Sequence, residues 1–256
     1  MEKTLTCITA AIADILADNG PSIYLYGSCT QDDFRPGWSD IDLLALTPGP
    51  LRRPQAERLL TLRQELGSPD ALYARACEGA ILPLAALTGG GPCEAVYWGT
   101  SGQRLTDAYQ PDCFCLWQLH HGGRLLHGPE VRPLLPEPSP EALRQGVARH
   151  LRTILDHGHG GRSLYAFGWL LDTARCLHTL THGGVISKTA AGEWALQAGL
   201  CPEPEVLRLA LAVRRNPALM QEESVLRRAE GLTPTIQGFA GVLRERLAAL
   251  GVVIPG

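Results

Sequence analysis

Tyr24-Leu25-Tyr26-Gly27-Ser28-Cys29-Thr30, a polar interval through Asp33, Arg35-Pro36-Gly37 and Ser39, then Asp40-Ile41-Asp42-Leu43-Leu44-Ala45-Leu46: residues 24–46 decide the fold. An apolar run ends on Gly27-Ser28, and a second apolar run opens on two aspartates one residue apart. The second run reads as a strand. Side chains alternate across a strand, so Asp40 and Asp42 share one face while Ile41 and Leu43 enter the opposite layer. Two carboxylates that close repel, and a cation relieves the repulsion. Hard oxygen ligands suit Mg²⁺, which takes one or two carboxylates and completes its shell with water and phosphate oxygens.

Gly27-Ser28 fits the other half of such a site. Glycine at a strand end lets the backbone approach a phosphate closely, free N–H groups there favour an anion, and Ser28 adds a hydroxyl donor. Each piece has a plainer reading: Gly-Ser after a strand is an ordinary turn, and Asp-x-Asp at a strand start is an ordinary solvated edge or cap. A further acid lies in the apolar run Leu72–Leu84, where Glu78 stands alone. A lone glutamate there is costly to bury unpaired, so it either faces solvent or joins the aspartates from a neighbouring strand.

Taken together, strand, Gly-Ser, twelve residues from Ser28 to Asp40, and Asp-x-Asp opening a strand resemble the nucleotidyltransferase superfamily related to DNA polymerase β. Within it the chain is most similar to the aminoglycoside adenylyltransferases that modify streptomycin and spectinomycin. Further similarities follow in order at Arg75-Ala76-Cys77-Glu78, Leu126-His127-Gly128-Pro129-Glu130, Ile186-Ser187-Lys188-Thr189 and Gln221-Glu222-Glu223. The resemblance implies that Glu78 is the general base and that Asp40 and Asp42, with Glu78, are the metal-ligand set for Mg²⁺. It also implies that Arg175 and Lys188, thirteen residues apart, join Gly27 and Ser28 in holding the triphosphate of ATP. On the residues alone, Arg175 is equally explained as a partner of Asp172, three positions earlier.

The acceptor side is less well matched. Trp98 lies where these enzymes place a tryptophan against the drug, although its spacing from Glu78 differs, and simple packing explains it equally. Tyr165 stands where the streptomycin-modifying relatives carry an acid, and Ala218 where they carry an aromatic residue. Glu222 and Glu223 could attract a cationic acceptor or could be solvated acids on a helix surface.

The 256 residues carry a net charge of −3, which gives no sign of the basic face a polynucleotide binder needs. The eight cysteines are scattered without a Cys-x-x-Cys spacing, as expected of reduced thiols, and Cys113-x-Cys115 with His120-His121 does not read as a metal cluster. No secretory signal or membrane-length apolar span is apparent, so a soluble, cytoplasmic monomer is expected.

Apolar spacing predicts helices over 3–18 and 53–66, strands over 22–26 and 41–46, and a β-like run over 72–84. Residues 88–110 are glycine-rich and give no assignment, while 111–127 carry a helical or mixed pattern. The proline-rich stretch 135–140 denies helix and marks a boundary. Beyond it, patterns at 142–156, 164–182, 193–196, 204–215 and 235–249 predict a bundle of about five helices.

The expected fold is therefore α+β. A catalytic domain over 1–135, a small mixed sheet with helices on one side, precedes a helical domain over 141–256 that closes over nucleotide and acceptor. The expected reaction is Mg²⁺-dependent transfer of AMP from ATP to a hydroxyl of a small molecule, an aminoglycoside or aminocyclitol by resemblance. A non-antibiotic acceptor and a non-catalytic nucleotide sensor or toxin–antitoxin partner are the competing readings. The trio Asp40, Asp42 and Glu78 weighs against the sensor.

Overall fold

The computed structural model describes residues 1–67, 72–89, 91, 93–99 and 102–255. The chain divides into two compact units, Met1–Glu137 and Pro138–Gly256. The first is a six-stranded mixed sheet with helices and the second is helical, giving the α+β class.

In the first unit, α1 (Glu2–Ile15) leads into β1 (Ser22–Tyr26), and a 3-10 turn over Gly27–Thr30 begins the connection to β2 (Ile41–Thr47). Then come α2 (Arg53–Leu66), a single helical turn α3 (Leu72–Arg75), β3 (Cys77–Pro83), β4 (Ala95–Gly99), β5 (Gly102–Thr106), α4 (Cys113–Gly122) and β6 (Arg124–His127). The spatial order is β5-β4-β3-β2-β1-β6. β2 and β3 run parallel, joined by the crossover through α2, and the other neighbours run antiparallel.

The β-like run expected over 72–84 is helical at Leu72–Arg75 and extended only from Cys77. A single turn of four residues is too short to show helical periodicity. The unassigned glycine-rich stretch holds the β4–β5 hairpin.

Alternation along β2 sorts the core into two layers. Ile41, Leu43 and Ala45 meet Leu5, Ile8 and Ile12 of α1 and Ala56 and Leu59 of α2 on one face. Leu44 and Leu46 share the other face with Tyr24, Tyr26, Ala80, Leu82 and Leu119 of α4. Helices thus lie on both faces, against the expectation of one.

Gly79 of β3 has φ +141°, and a Cβ there would fall 1.7 Å from the Leu43 carbonyl oxygen. Only glycine lets β3 lie this close to β2.

The second unit contains α5 (Pro140–His157), α6 (Leu164–His182), α7 (Lys188–Gln197), α8 (Pro204–Arg215), α9 (Glu223–Glu230) and α10 (Thr233–Ala249). α6 packs against α5, α7, α8, α9 and α10, burying Phe167, Leu170, Leu171, Ala174 and Leu177. Ser139 caps α5 by accepting from the Ala142 N–H, and Ser187 caps α7 by accepting from the Ala190 N–H. α9 was not expected: its eight residues bury only Val225 and Ala229, too little for an apolar pattern.

Candidate active site

Parallel register sets Asp42 of β2 directly beside Glu78 of β3. Partners in a parallel ladder project from the same face, and the next strand continues the row, with Tyr26 of β1 opposite Asp42. The face is that of Leu44, Ala80 and Tyr24. Asp40, just before β2, lines with Glu78 a cleft of about 320 Å³ whose other walls include Arg63, Arg75 and Gln103. All three acids are partly exposed.

Gly27 closes the other side of Asp42. It adopts φ +70°, and a Cβ there would lie 2.1 Å from Asp42 Oδ2. The Asp42 carboxylate therefore occupies the space a side chain at position 27 would need. In the turn that follows, the Thr30 hydroxyl donates to the Gly27 carbonyl at 3.1 Å, and the Ser28 hydroxyl to the Asp40 carbonyl at 3.4 Å. The Asp42 charge is felt around it. Tyr26 is raised well above its ordinary range by burial first, then by Cys115 and Asp42, and Cys29 is pushed up to about 12 by burial and then by Asp42.

Among the described residues, no three His, Cys, Asp or Glu side chains are close enough to enclose a metal ion. The expected gathering of all three acids around one ion is not found among the described residues: register sets Asp42 beside Glu78, and Asp40 shares only the cleft with Glu78. Mg²⁺ needs only one or two carboxylates when phosphate and water supply the rest. Hard oxygen donors set against a glycine that leaves room for no side chain are compatible with that demand.

In the helical unit, Arg175 of α6 and Lys188, first residue of α7, converge on one carboxylate. Arg175 Nη2 lies 2.8 Å from Asp172 Oδ1, and Lys188 Nζ lies 3.0 Å from Oδ2. The sequence suggested Asp172 only as a partner for Arg175. The second contact closes between two helices, and no pattern within either helix signals it. Burial alone would raise the Asp172 carboxyl, but Lys188 and Arg175 outweigh it and hold it below the usual range.

The acceptor-side expectations fare differently. Trp98 is 1% exposed and packs with Ile81 and Val96 on the layer opposite Asp42 and Glu78, so the indole is core and not a wall for a ligand beside the acids. Tyr165, in the first turn of α6, is 68% exposed. Glu223 pairs with Arg162 at 2.7 Å and Glu222 is the N-cap residue of α9, so both are exposed acids at a helix start. Arg63 and Arg75 in the cleft were not anticipated, although Arg75 opens the quoted Arg75–Glu78 run.

A family model described as a nucleotidyltransferase domain matches residues 11–76, the segment carrying the Gly27-Ser28 turn and both aspartates. The chain is thus a nucleotidyltransferase. A second model, the C-terminal domain of aminoglycoside adenylyltransferase, matches residues 134–236. The chain belongs to the aminoglycoside adenylyltransferase family. Spectinomycin 9-adenylyltransferases of Staphylococcus aureus strains Mu50 and N315 are each 25% identical over 215 residues, covering 78% of this chain and 79% of theirs. The crystal structure of spectinomycin adenyltransferase AAD(9) from Enterococcus faecialis with ATP and spectinomycin superposes with a TM-score of 0.67. It covers 97% of this chain and 99% of that one at 18% identity, a likeness of fold. Among the described residues no helix is long and apolar enough to cross a membrane.

Proposed function

We propose that this protein transfers AMP from ATP to a hydroxyl group of an aminoglycoside or aminocyclitol and releases pyrophosphate. The observation that carries the reading is the register pairing of Asp42 with Glu78 beside Gly27. It joins a carboxylate suited to a phosphate-bound cation to one suited to taking a proton. The names of the relatives, which act on spectinomycin, support the acceptor class.

In this reading the acceptor hydroxyl reaches Glu78 from the cleft. Glu78 takes its proton as the oxygen attacks the α-phosphorus of ATP, and the bond from that phosphorus to the bridging oxygen breaks, leaving with pyrophosphate. Asp40 and Asp42 would hold Mg²⁺, which neutralises charge on the phosphates when bound. Gly27 allows close approach of backbone to phosphate and Ser28 donates a hydroxyl. Arg175 and Lys188 take the β- and γ-phosphates, the guanidinium by paired hydrogen bonds and the ammonium as a point charge.

Pyrophosphate release with Mg-ATP across a panel of aminoglycosides and aminocyclitols tests the proposal. Release with at least one drug, lowered about 10²–10⁴-fold in Glu78→Gln, is expected. Release in Glu78→Gln at the wild-type rate would remove Glu78 as base. A second reading, the same transfer to a hydroxyl that is not part of an antibiotic, is favoured by exposed Tyr165 where the streptomycin-modifying relatives carry an acid. It takes over if no drug elicits release while Mg-ATP still binds.

A further inference from the structure

Two cations meant for a triphosphate would repel one another and, on long side chains, would sample many directions. Here they do neither. Arg175 and Lys188 come from different helices, yet each places a nitrogen on its own oxygen of the Asp172 carboxylate, at 2.8 and 3.0 Å. The side chains of Asp172, Arg175 and Lys188 are 19%, 17% and 27% exposed, so the group is held largely out of water.

The backbone on either side is fixed as well. Asp172 lies within the buried middle of α6, between Leu171 and Thr173. Lys188 stands at the first position of α7, whose start is set by the Ser187 cap.

We propose that Asp172 is a positioning residue for the nucleotide, presetting Arg175 and Lys188 as one two-pronged unit for the phosphates. It touches neither substrate and acts through the two cations. Its charge leaves the trio with a net +1, so the pair stays together before ATP arrives, and the phosphates meet donors already aimed. An ordered pair loses less side-chain freedom on binding than two independent long side chains. The inference rests on the proposed reading of Arg175 and Lys188 as the triphosphate grip.

The test measures Mg-ATP affinity by calorimetry, and the KM for ATP and for acceptor, in Asp172→Ala, Asp172→Asn and Asp172→Glu. Arg175→Ala, Lys188→Ala and the double variants Asp172→Ala/Arg175→Ala and Asp172→Ala/Lys188→Ala are measured beside them. Asp172→Ala is expected to weaken Mg-ATP about tenfold and raise the KM for ATP in step, with the KM for acceptor unchanged. Asp172→Asn, of the same shape, should lose less, and Asp172→Glu should recover part of the affinity. Adding Asp172→Ala to a chain already lacking one cation should cost less than it does alone, because the two-pronged unit is already broken.

Wild-type or tighter Mg-ATP binding in both Asp172→Ala and Asp172→Asn would overturn the inference. So would full multiplicativity in the double variants, or an equal rise in both KM values. If Arg175→Ala and Lys188→Ala bind Mg-ATP as the wild type does, the grip itself is disproved and the inference falls with it. That outcome is distinct from one in which the cations matter and Asp172 does not.

Discussion

Position 27 admits only glycine, for two separate reasons. Its φ of +70° costs an L-residue about 1–2 kcal/mol, and the space a Cβ would fill already holds Asp42 Oδ2. The Gly27→Ala variant therefore either pushes the Asp42 carboxylate aside or opens the turn, at an added cost of about 1–3 kcal/mol. A fall in Tm of about 5–10 °C is expected, with pyrophosphate release reduced more than tenfold even where the protein is folded. Thermal melting and the release assay check the two halves separately, and unchanged turnover would dissociate Gly27 from the site.

At this scale much of the site was legible. Asp40, Asp42 and Gly27-Ser28 lie in one short stretch, while for Glu78 the cost of burying a lone acid left two placements open and the family resemblance pointed to the one beside the aspartates. What stayed hidden is what depends on chain segments far apart. Trp98 faces the wrong layer because β4 alternates in register with Gly79, and nothing in the glycine-rich stretch around it reveals that register. The second partner of Asp172 lies 16 residues away on another helix, beyond any helical periodicity.

Among the elements, the segment after β6 is tied to β1 by a polar knot. The Tyr24 hydroxyl donates to Glu130 at 2.8 Å and accepts from the Val131 N–H at 2.7 Å, while Arg132 Nη2 meets the Glu130 carboxylate at 2.5 Å. Arg132 also donates to the Gly123 carbonyl at the end of α4, at 2.6 Å. Arg132, above all, holds the Glu130 carboxyl at about 2, against its ordinary 4.5.

A carboxyl depressed on folding contributes stability above its unfolded pKa and loses it as pH falls through the folded one. The destabilisation caused by Glu130→Gln should thus be full at pH 7 and shrink between about 4.5 and 2. The Glu130 side chain is 40% exposed, so the effect at pH 7 is discounted to about 1 kcal/mol, read by urea denaturation at several pH values. A penalty independent of pH would assign the knot to shape and not to charge. The strands β1, β2 and β3 and the long helices were readable from apolar spacing, whereas β4 and β5 fall in the glycine-rich stretch that gives no assignment. The short pieces, α3 and α9, were not readable either, since one or two turns bury too few residues to leave a pattern.

For the whole molecule, the eight cysteines are free thiols graded by burial. Cys77, Cys113, Cys176 and Cys201 are buried, Cys7 on α1 is exposed, and Cys77 is pushed up to about 12 chiefly by burial. With Ellman's reagent at pH 8, Cys7 should react first and the four buried thiols only as the protein unfolds, in a step that follows denaturant. Prompt reaction of all eight would contradict the packing described here. The reading of scattered reduced thiols was available from spacing alone, but which of them are shielded required the two sheet layers and the helical core.

The parallel pairing of β2 with β3 has a kinetic consequence. Asp42 and Glu78 are 36 positions apart and meet only when the crossover through α2 has closed, so no hairpin or isolated helix can bring them together. With Glu78 as the proposed base, a chain refolding from denaturant is expected to regain secondary structure before turnover, and a ribosome-bound fragment that ends before β3 is expected to be inert however well its first two strands are formed.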